Sequence, residues 1–285
     1  MIEKKPVHEQ ARDFWDDKAS FFASEERRQK NRRMSDLYEK SCWRYIEPLL
    51  PPSEGCLILE AGCGTGRWVY YLAPIGYHLE LLDFSGEMIR HAEANVTQHG
   101  LEENVTGYHV QDICDMTALA DNSFDMILAL GMPLSLCNNP KQAVAEMFRV
   151  TKPGGHVVCD VKNRLRAALD LARDNDMVHC LQTLNTGAVV AEPEQVHSCF
   201  SAQELEALFL KQGFKPCITS AIMPFFDIPP SKEQVAILDD GHMFSQIDSA
   251  FQAVAEDPGV LGLTSRLLVV VQKLGDSEKR AWFDT

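Results

Sequence analysis

The sequence has no long hydrophobic run and no excess of positive charge. Its longest strongly apolar run, Leu267 to Val271, is far too short to cross a bilayer, and no apolar segment follows the N-terminus as in a secretory signal. The 27 Lys and Arg against 41 Asp and Glu give a net charge of −14, which argues against general nucleic-acid or anionic-membrane binding. We therefore expect no membrane span and no nucleic acid among the partners.

Paired cysteine motifs are also absent. The nine cysteines are scattered without a C-x-x-C pair, so we interpret them as free thiols in a reducing compartment and expect a cytoplasmic protein. The rest of the composition is ordinary, because 45% of the 285 residues are hydrophobic and 24% are charged. Such a chain is long enough for one large domain with a sizeable core.

Helical and strand patterns alternate along most of the chain. Residues 8–50 have helical periodicity that ends at Pro51-Pro52, so we assign residues 1–50 to an N-terminal helical cap. Short apolar strands then alternate with helices, which predicts an α/β fold with a mostly parallel sheet and helices on both faces. The seven predicted strands are residues 57–59, 79–82, 105–110, 126–130, 156–159, 217–223 and 265–273.

Two stretches interrupt this alternation. The pattern loosens near residues 162–200 and again over residues 224–263, so both are treated as insertions in a domain that spans residues 51–285. Between them, a capping box from Ser201 to Glu204 begins a helix that ends at Gly213. Together with the N-terminal helices, the insertions are expected to form a cap over one edge of the sheet.

The first predicted strand leads into a glycine-rich loop, Glu60-Ala61-Gly62-Cys63-Gly64-Thr65-Gly66. Glycines at alternate positions let the backbone turn sharply and approach a ligand closely. The G-x-G-x-G spacing excludes the dinucleotide fingerprint G-x-G-x-x-G, which requires glycine where Arg67 stands. Such a loop, taken alone, also fits a plain strand-to-helix turn.

An acidic residue follows each of the next two strands. Asp83 ends the second strand, seventeen residues beyond Gly66, where its carboxylate can accept hydrogen bonds from both hydroxyls of a ribose. Asp112 follows the third strand, where it can accept from an adenine amino group or cap its own loop. Because the carboxyl ends of parallel strands meet at one edge, the loop and both acids are expected at one ligand site.

The sequence resembles class I S-adenosylmethionine-dependent methyltransferases in an ordered set of segments. These are the glycine-rich loop, the segments at Asp83 and Asp112, Phe124 to Leu128 and the turn Lys152 to Gly155. The subgroup resembled contains the ubiquinone and menaquinone C-methyltransferases, and the resemblance covers about residues 50–225. It implies S-adenosylmethionine as cofactor and a Rossmann-like seven-stranded sheet of order 3-2-1-4-5-7-6 with the last strand reversed. It assigns to the cofactor Glu60, Gly62, Cys63, Gly64, Gly66, Asp83, Phe84, Met88, Asp112, Ile113 and Leu130.

The resemblance also implies a role for several of these residues. The glycines pass the methionine part of the cofactor, Asp83 holds the ribose, and Asp112 with Ile113 holds the adenine. Phe84 packs on the adenine face. Arg67 is interpreted as a surface charge or as a ligand of the cofactor carboxylate.

The residues leave the acceptor atom open. Methyl transfer from a sulfonium needs positioning and exclusion of water, so the candidates for the acceptor site are residues 130–135 and 160–164, after the fourth and fifth strands. The sequence lacks the Asn/Asp-Pro-Pro-Tyr/Phe signature, a His–acid pairing that can be aligned and the acidic cluster of metal-dependent subtypes, so we expect no metal and the signatures do not identify the acceptor. The predicted cap favours a small-molecule acceptor, because a protein or RNA substrate would need an open and often basic docking surface. His197 is the candidate catalytic base, with an ordinary hydrogen-bonded histidine as the alternative.

The cap is also expected to enclose an apolar acceptor pocket. Its aromatic and methionine content suggests this, although a satellite core is the alternative for each residue. We further expect cofactor binding to order part of the N-terminal segment. The candidate lining residues are Trp15, Phe22, Met223, Phe225, Phe226, Met243 and Phe244.

Three other functions stay open at this point. A protein or RNA methyltransferase would use the basic run Arg27 to Arg33 as part of a docking surface. A non-catalytic module would bind S-adenosylmethionine without turnover. An arsenite methyltransferase would use thiols among Cys137, Cys180 and Cys199.

Overall fold

A computed structural model describes residues 7–24, 32–191, 195–226 and 231–275. Strands form a single layer between helices, because the apolar strand segments bury both of their faces. The strands are β1 Leu57–Ala61, β2 His78–Asp83, β3 Val105–Val110, β4 Phe124–Ala129, β5 Thr151–Asn163, β6 Ala188–Ala191, β7 Gln195–Phe200, β8 Phe214–Ile222 and β9 Arg266–Lys273.

Strand pairing gives the sheet its order. Strands β3, β2, β1, β4 and β5 lie side by side in that order, each parallel to its neighbours. Strand β9 pairs antiparallel with β5, and β8 pairs antiparallel with β9. Apart from β6 and β7, this is the order 3-2-1-4-5-7-6 with a reversed last strand. The predicted Rossmann-like fold class is therefore confirmed.

Helices cover both faces of this sheet. Single turns of 3-10 helix lie at Glu47–Leu49, Ala73–Ile75 and Glu102–Asn104. The α-helices are α1 Val7–Ala23, α2 Arg32–Ile46, α3 Val69–Leu72, α4 Gly86–Gln98, α5 Pro133–Leu136, α6 Pro140–Val150, α7 Arg164–Arg173, α8 Met177–Thr186, α9 Ala202–Gln212, α10 Lys232–Asp239, α11 Gly241–Val254 and α12 Pro258–Leu261. Within the described ranges, no helix combines the length and the apolar character needed to cross a bilayer.

Two buried clusters flank the sheet, one on each face. Successive strand residues point to opposite faces, so Ile58 and Leu128 join one cluster while their neighbours Leu59 and Ile127 join the other. The helix-end signals hold as well, since the Ser85 hydroxyl caps α4 and the predicted capping box at Ser201 is present. Local sequence patterns thus place the strand ends and the loops that follow them.

The two stretches treated as insertions contain helices and strands. Residues 162–200 form α7, α8 and the hairpin β6–β7, whose second strand pairs parallel with the end of β5 at Lys162 and Asn163. Residues 224–263 contain α10, α11 and α12. The helices of these stretches were not predicted, because they leave apolar side chains such as Val178 exposed, which blurs their periodicity. The division into a cap of residues 1–50 and a domain of residues 51–285 stays a prediction.

Candidate cofactor and acceptor site

A cavity of about 380 Å³ opens at the carboxyl ends of the parallel strands. Its wall contains ten of the eleven residues predicted to hold the cofactor, drawn from the segments that follow β1 to β4. Gly66 is the exception. A Cβ added there would lie 3.4 Å from the Cβ of Ala92, so Gly66 provides close packing against α4 instead of cavity wall. The tertiary structure therefore collects these separate segments at one edge of the sheet.

The first two glycines of the loop serve different purposes. Both have a positive φ, 75° at Gly62 and 55° at Gly64, which favours glycine on backbone grounds. A Cβ at Gly62 would lie only 2.6 Å from the Cβ of Pro133, so this glycine permits close contact with α5. At Gly64, no atom lies within 4 Å of such a Cβ, and Gly64 belongs to the cavity wall. Gly64 therefore leaves space for a ligand.

Asp83 binds the glycine loop from the end of β2. Its Oδ2 accepts a hydrogen bond from the Gly64 N–H at 2.8 Å, and its Oδ1 accepts from the Ser85 N–H at 2.9 Å. Burial raises the pKa of Asp83 to about 6, although these backbone hydrogen bonds oppose the shift. A carboxylate has about four acceptor positions, so Asp83 retains acceptor capacity toward the cavity that it lines.

Glu60 presents an unsatisfied oxygen at the end of β1. Its side chain is buried, and its Oε1 accepts from the Trp68 N–H at 3.3 Å. Among the residues that the structure describes, its buried Oε2 has no hydrogen-bond partner. Because buried polar atoms are normally paired, this oxygen fits a donor on a ligand, such as the ammonium of S-adenosylmethionine. The open space at Gly64 and the acceptors on Asp83 fit the same cofactor.

The burial of Glu60 predicts a pH-dependent stability. Its pKa is raised to about 8 in the folded protein, mainly by desolvation, against about 4.3 in an unfolded chain. Between these values, rising pH ionises Glu60 in the unfolded chain first, so its contribution to stability falls. The free energy of unfolding of the wild type should therefore fall between pH 5 and pH 8.5. We expect this fall to be smaller by about 2 kcal/mol or more in Glu60→Gln. Urea unfolding at both pH values measures this.

Glu146 provides the control for that experiment. Its pKa is lowered, chiefly by the hydrogen bond from Arg149, so its contribution has the opposite sign and is present at neutral and high pH. Glu146→Gln should therefore destabilise the protein at pH 8.5. Identical pH profiles for the wild type and Glu60→Gln would contradict the assignment of Glu60 as a buried acid of raised pKa.

Two further predicted cofactor residues, Phe84 and Asp112, also line the cavity. Asp112 lines the cavity while its Oδ1 accepts from the Cys114 N–H at 2.8 Å, so it also caps its own loop. Helix α1 contacts Phe84, because the Arg12 guanidinium carbon lies 5.0 Å from the centre of the Phe84 ring. Asp16 of the same helix accepts hydrogen bonds from the Ser85 hydroxyl and from the Glu87 N–H. Helix α1 is thus attached directly to the loop that begins α4.

His197 does not belong to the cavity wall. It lies on β7 opposite Val189, and both of its ring nitrogens are buried without a partner among the described residues. Burial, assisted by the charge of Lys162, lowers the pKa of His197 to about 4, so the ring is neutral at physiological pH. The structure therefore does not bring His197 to the predicted site. Its role as a base stays a prediction.

The predicted acceptor-pocket residues divide into three groups. Trp15, Phe22 and Met223 line the cavity. Phe226 and Phe244 are buried in one of the core clusters, whereas Phe225 and Met243 are exposed. The last four follow the alternative in which cap residues build core or surface.

The features linked to other functions are not assembled at the cavity. Cys137 lines it, whereas Cys180 and Cys199 do not. In the part of the chain that the structure describes, no group of three or more His, Cys, Asp and Glu side chains is placed to hold a metal ion. Of the basic run, residues 27–31 lie outside the described residues, and Arg32 and Arg33 begin α2.

Sequence reasoning missed a polar cluster on the far side of the cavity. Tyr38 of α2 and Arg266 of β9 both line the cavity, and both contact Asp160 of β5. Asp160 fell within the segment considered for the acceptor, but its partners did not. One signal was available for Arg266, because it is a charged residue directly before the apolar run of β9. Tyr38 has no such signal, since it lies on the apolar face of its helix.

Similarity to known proteins agrees with this geometry. Residues 58–155 match a family described as a methyltransferase domain. A malonyl-[acyl-carrier protein] O-methyltransferase from Pectobacterium atrosepticum is 32% identical over 123 residues, which cover 43% of this chain and 45% of that protein. A demethylmenaquinone methyltransferase from Listeria monocytogenes is 34% identical over 115 residues, 39% of this chain and 46% of that protein. This chain thus spans a little under half the length of these relatives.

The fold has solved counterparts as well. The crystal structure of an S-adenosylmethionine-dependent methyltransferase from Methanosarcina mazei superimposes with a TM-score of 0.58 at 21% identity, covering 81% of this chain and 97% of that one. The resemblance to class I S-adenosylmethionine-dependent methyltransferases is therefore confirmed. The predicted class of domain and the predicted cofactor are confirmed with it.

Proposed function

We propose that this protein transfers a methyl group from S-adenosylmethionine to a small-molecule acceptor. The observation that carries the proposal is the grouping of the open Gly64 position, the Asp83 carboxylate and the unpartnered Glu60 Oε2 in the wall of one cavity. These groups match the methionine, ribose and ammonium features of the cofactor. The relatives named above support the methyltransferase class and, by their names, small or carrier-bound acceptors.

The residues of the chain mainly bind, orient and exclude water. S-adenosylmethionine, when bound, supplies a methyl group on a sulfonium that is already activated for displacement. Glu60 and Asp83 hold the cofactor, while Trp15 and Phe22 of α1 cover the cavity and limit the access of water. On the acceptor side, Asp160 fixes the loop after β4, because its Oδ1 accepts from the N–H groups of Gly131 at 2.7 Å and Met132 at 2.8 Å.

Calorimetry and a product assay test the proposal together. We expect S-adenosylmethionine and S-adenosylhomocysteine to bind with micromolar dissociation constants, about −8 kcal/mol, and more tightly than NADH. Incubation with methyl-labelled cofactor and a panel of small organic acceptors should yield S-adenosylhomocysteine together with labelled product. Tighter binding of NADH would contradict the cofactor. Binding without product across the panel would favour the non-catalytic module.

A small acceptor is preferred over a macromolecule for reasons of charge and enclosure. The chain is acidic, and α1 covers part of the cavity, whereas an RNA substrate requires an open and basic surface. RNA binding that weakens steeply with salt would favour the alternative. A cytoplasmic location belongs to the proposal and rests on the nine cysteines, which occur as free thiols.

The contacts of α1 predict that cofactor binding protects this helix. Arg12 and Asp16 contact the segment of Phe84, Ser85 and Glu87, next to the cofactor residues. S-adenosylhomocysteine should therefore slow amide hydrogen exchange in α1 by about tenfold or more, because opening of the helix would then expose the ligand. Exchange measured by mass spectrometry with and without the ligand tests this. Helix α9, which has no residue in the cavity wall, serves as an internal control, and unchanged exchange in α1 would indicate a fixed scaffold.

A further inference from the structure

Two guanidinium groups line the cavity, and one tyrosine ring lies against both. The guanidinium carbons of Arg67 and Arg266 are 5.4 Å and 5.2 Å from the centre of the Tyr38 ring. The other charged side chains that the structure describes in the wall are carboxylates, and they lie at the ends of β1 and β2 and just after β3. Within the described wall, the cavity is therefore acidic beside β1 to β3 and cationic toward α2 and β9.

The two arginines differ in what they contact. Arg67 forms an ion pair with Glu39 at 3.4 Å, and this pair is partly exposed. Arg266 donates from Nη1 to Asp160 at 3.2 Å, but its Nε is buried and has no partner within the described part of the chain. A guanidinium carries five N–H donors in a planar fork that matches the two oxygens of a carboxylate. Arg266 therefore retains a buried donor that a ligand oxygen would satisfy.

Asp160 positions Arg266, and Arg266 is one of several donors to the Asp160 carboxylate. The carboxylate is fully buried, and its Oδ1 accepts from two backbone N–H groups of the loop after β4. Its Oδ2 accepts from the Tyr38 hydroxyl at 3.4 Å and from Arg266. Because several donors share this carboxylate, Arg266 is positioned by Asp160 and still has donors for a second anion.

We propose that Arg266 binds a carboxylate group of the methyl acceptor. Arg266 begins β9 beside the end of β5, on the half of the sheet away from the glycine loop, whereas Arg67 directly follows that loop. We therefore assign Arg67, next to the loop, to the carboxylate of the cofactor and Arg266 to the acceptor. Nearby apolar wall residues such as Met34 and Met223 suit the rest of a small organic acid. This inference rests on the proposed function and narrows its substrate class.

The test compares probes of matched shape, in which a charged carboxylate is replaced by a neutral amide. The full-length protein, saturated with S-adenosylhomocysteine, is titrated with benzoate and benzamide and with hexanoate and hexanamide, and binding is followed by ligand-observed NMR. We expect each acid to bind the wild type at least tenfold more tightly than its amide. Arg266→Gln should remove this preference and Arg266→Lys should restore part of it. Arg90→Gln, which removes an exposed guanidinium outside the cavity wall, should leave the preference intact.

The outcomes separate the two possible sources of the carboxylate. If acid and amide bind the wild type equally, the proposal is overturned without reference to the folding of any variant. If Arg266→Gln instead weakens S-adenosylhomocysteine binding tenfold or more and leaves the acid preference in place, Arg266 serves the cofactor and the proposal is wrong. Absence of S-adenosylhomocysteine binding to the wild type would overturn the proposed function itself, and this inference with it.

Discussion

Replacing Gly64 with valine should lower the affinity for S-adenosylhomocysteine by at least a hundredfold, about 2.7 kcal/mol or more. Two effects of the structure combine at this position. The backbone has a φ of 55°, which a β-branched residue adopts only under strain, and the added side chain would project into the cavity, since no protein atom lies within 4 Å of its Cβ. The valine side chain would therefore occupy the space that the methionine part of the cofactor needs.

Gly55 offers a matched control for Gly64→Val. It also has a positive φ, 72°, and no atom within 4 Å of an added Cβ, but it does not belong to the cavity wall. Gly55→Val should therefore have a similar backbone strain, about 1–3 kcal/mol in the unfolding free energy, with cofactor affinity within about twofold of the wild type. Calorimetry and urea unfolding of both variants separate strain from occlusion. Wild-type affinity in Gly64→Val would contradict the assignment of this position to the cofactor.

Asp83→Ala is expected to have the second largest effect on cofactor binding. Each charge-assisted hydrogen bond to a ribose hydroxyl contributes about 1.5–3 kcal/mol, so losing one costs about tenfold or more in affinity. The loss should exceed this, because the Gly64 N–H also loses its acceptor and the glycine loop is then held less firmly. The variant should still fold, because it removes hydrogen bonds from the Gly64 and Ser85 N–H groups but none of the apolar side chains in the two clusters that flank the sheet.

The matched control for Asp83→Ala is Asp125→Ala. Asp125 also accepts a backbone hydrogen bond, from the Leu57 N–H at 3.0 Å, and pairs with Lys152, but it lies at the opposite end of the sheet. Its removal should affect stability and leave cofactor affinity unchanged. Equal affinity in Asp83→Ala and the wild type would mean that Asp83 is not the ribose ligand.

The cofactor affinity of the wild type should also fall as pH drops below about 6, where Asp83 becomes protonated and accepts hydrogen bonds less well.

Much of the fold could be predicted because its signals are local. Each central strand is a short apolar run, and the residues of that run alternate between the two buried faces of the sheet. The helices of the two insertions were not predicted. Helix α8, for example, exposes Met177, Val178 and Leu181 and so lacks a clear apolar stripe. Pattern reasoning identifies an element only when its burial follows its own period.

The segments predicted to bind the cofactor could likewise be located from the sequence. Glu60 to Gly64 form one continuous segment, Asp83 ends β2 and Asp112 lies two residues beyond β3, and these strand ends meet at the same edge of the sheet. These positions are fixed by the strand ends, so their meeting point could be predicted. The pKa values of Glu60 and Asp83 could not, because they depend on how deeply each carboxylate is buried.

The sequence alone thus determined the central strands and the glycine loop, because both depend on short-range patterns, whereas the sheet order and the class of cofactor were implied by the resemblance to class I S-adenosylmethionine-dependent methyltransferases. Only the tertiary structure decided which side chains meet on the side of the cavity away from the glycine loop. Tyr38, Asp160 and Arg266 come from α2, β5 and β9, and they meet because the reversed last strand pairs with β5 while α2 packs over its end. Nothing in their local sequence specifies that contact, and the same long-range packing placed His197 outside the cavity wall.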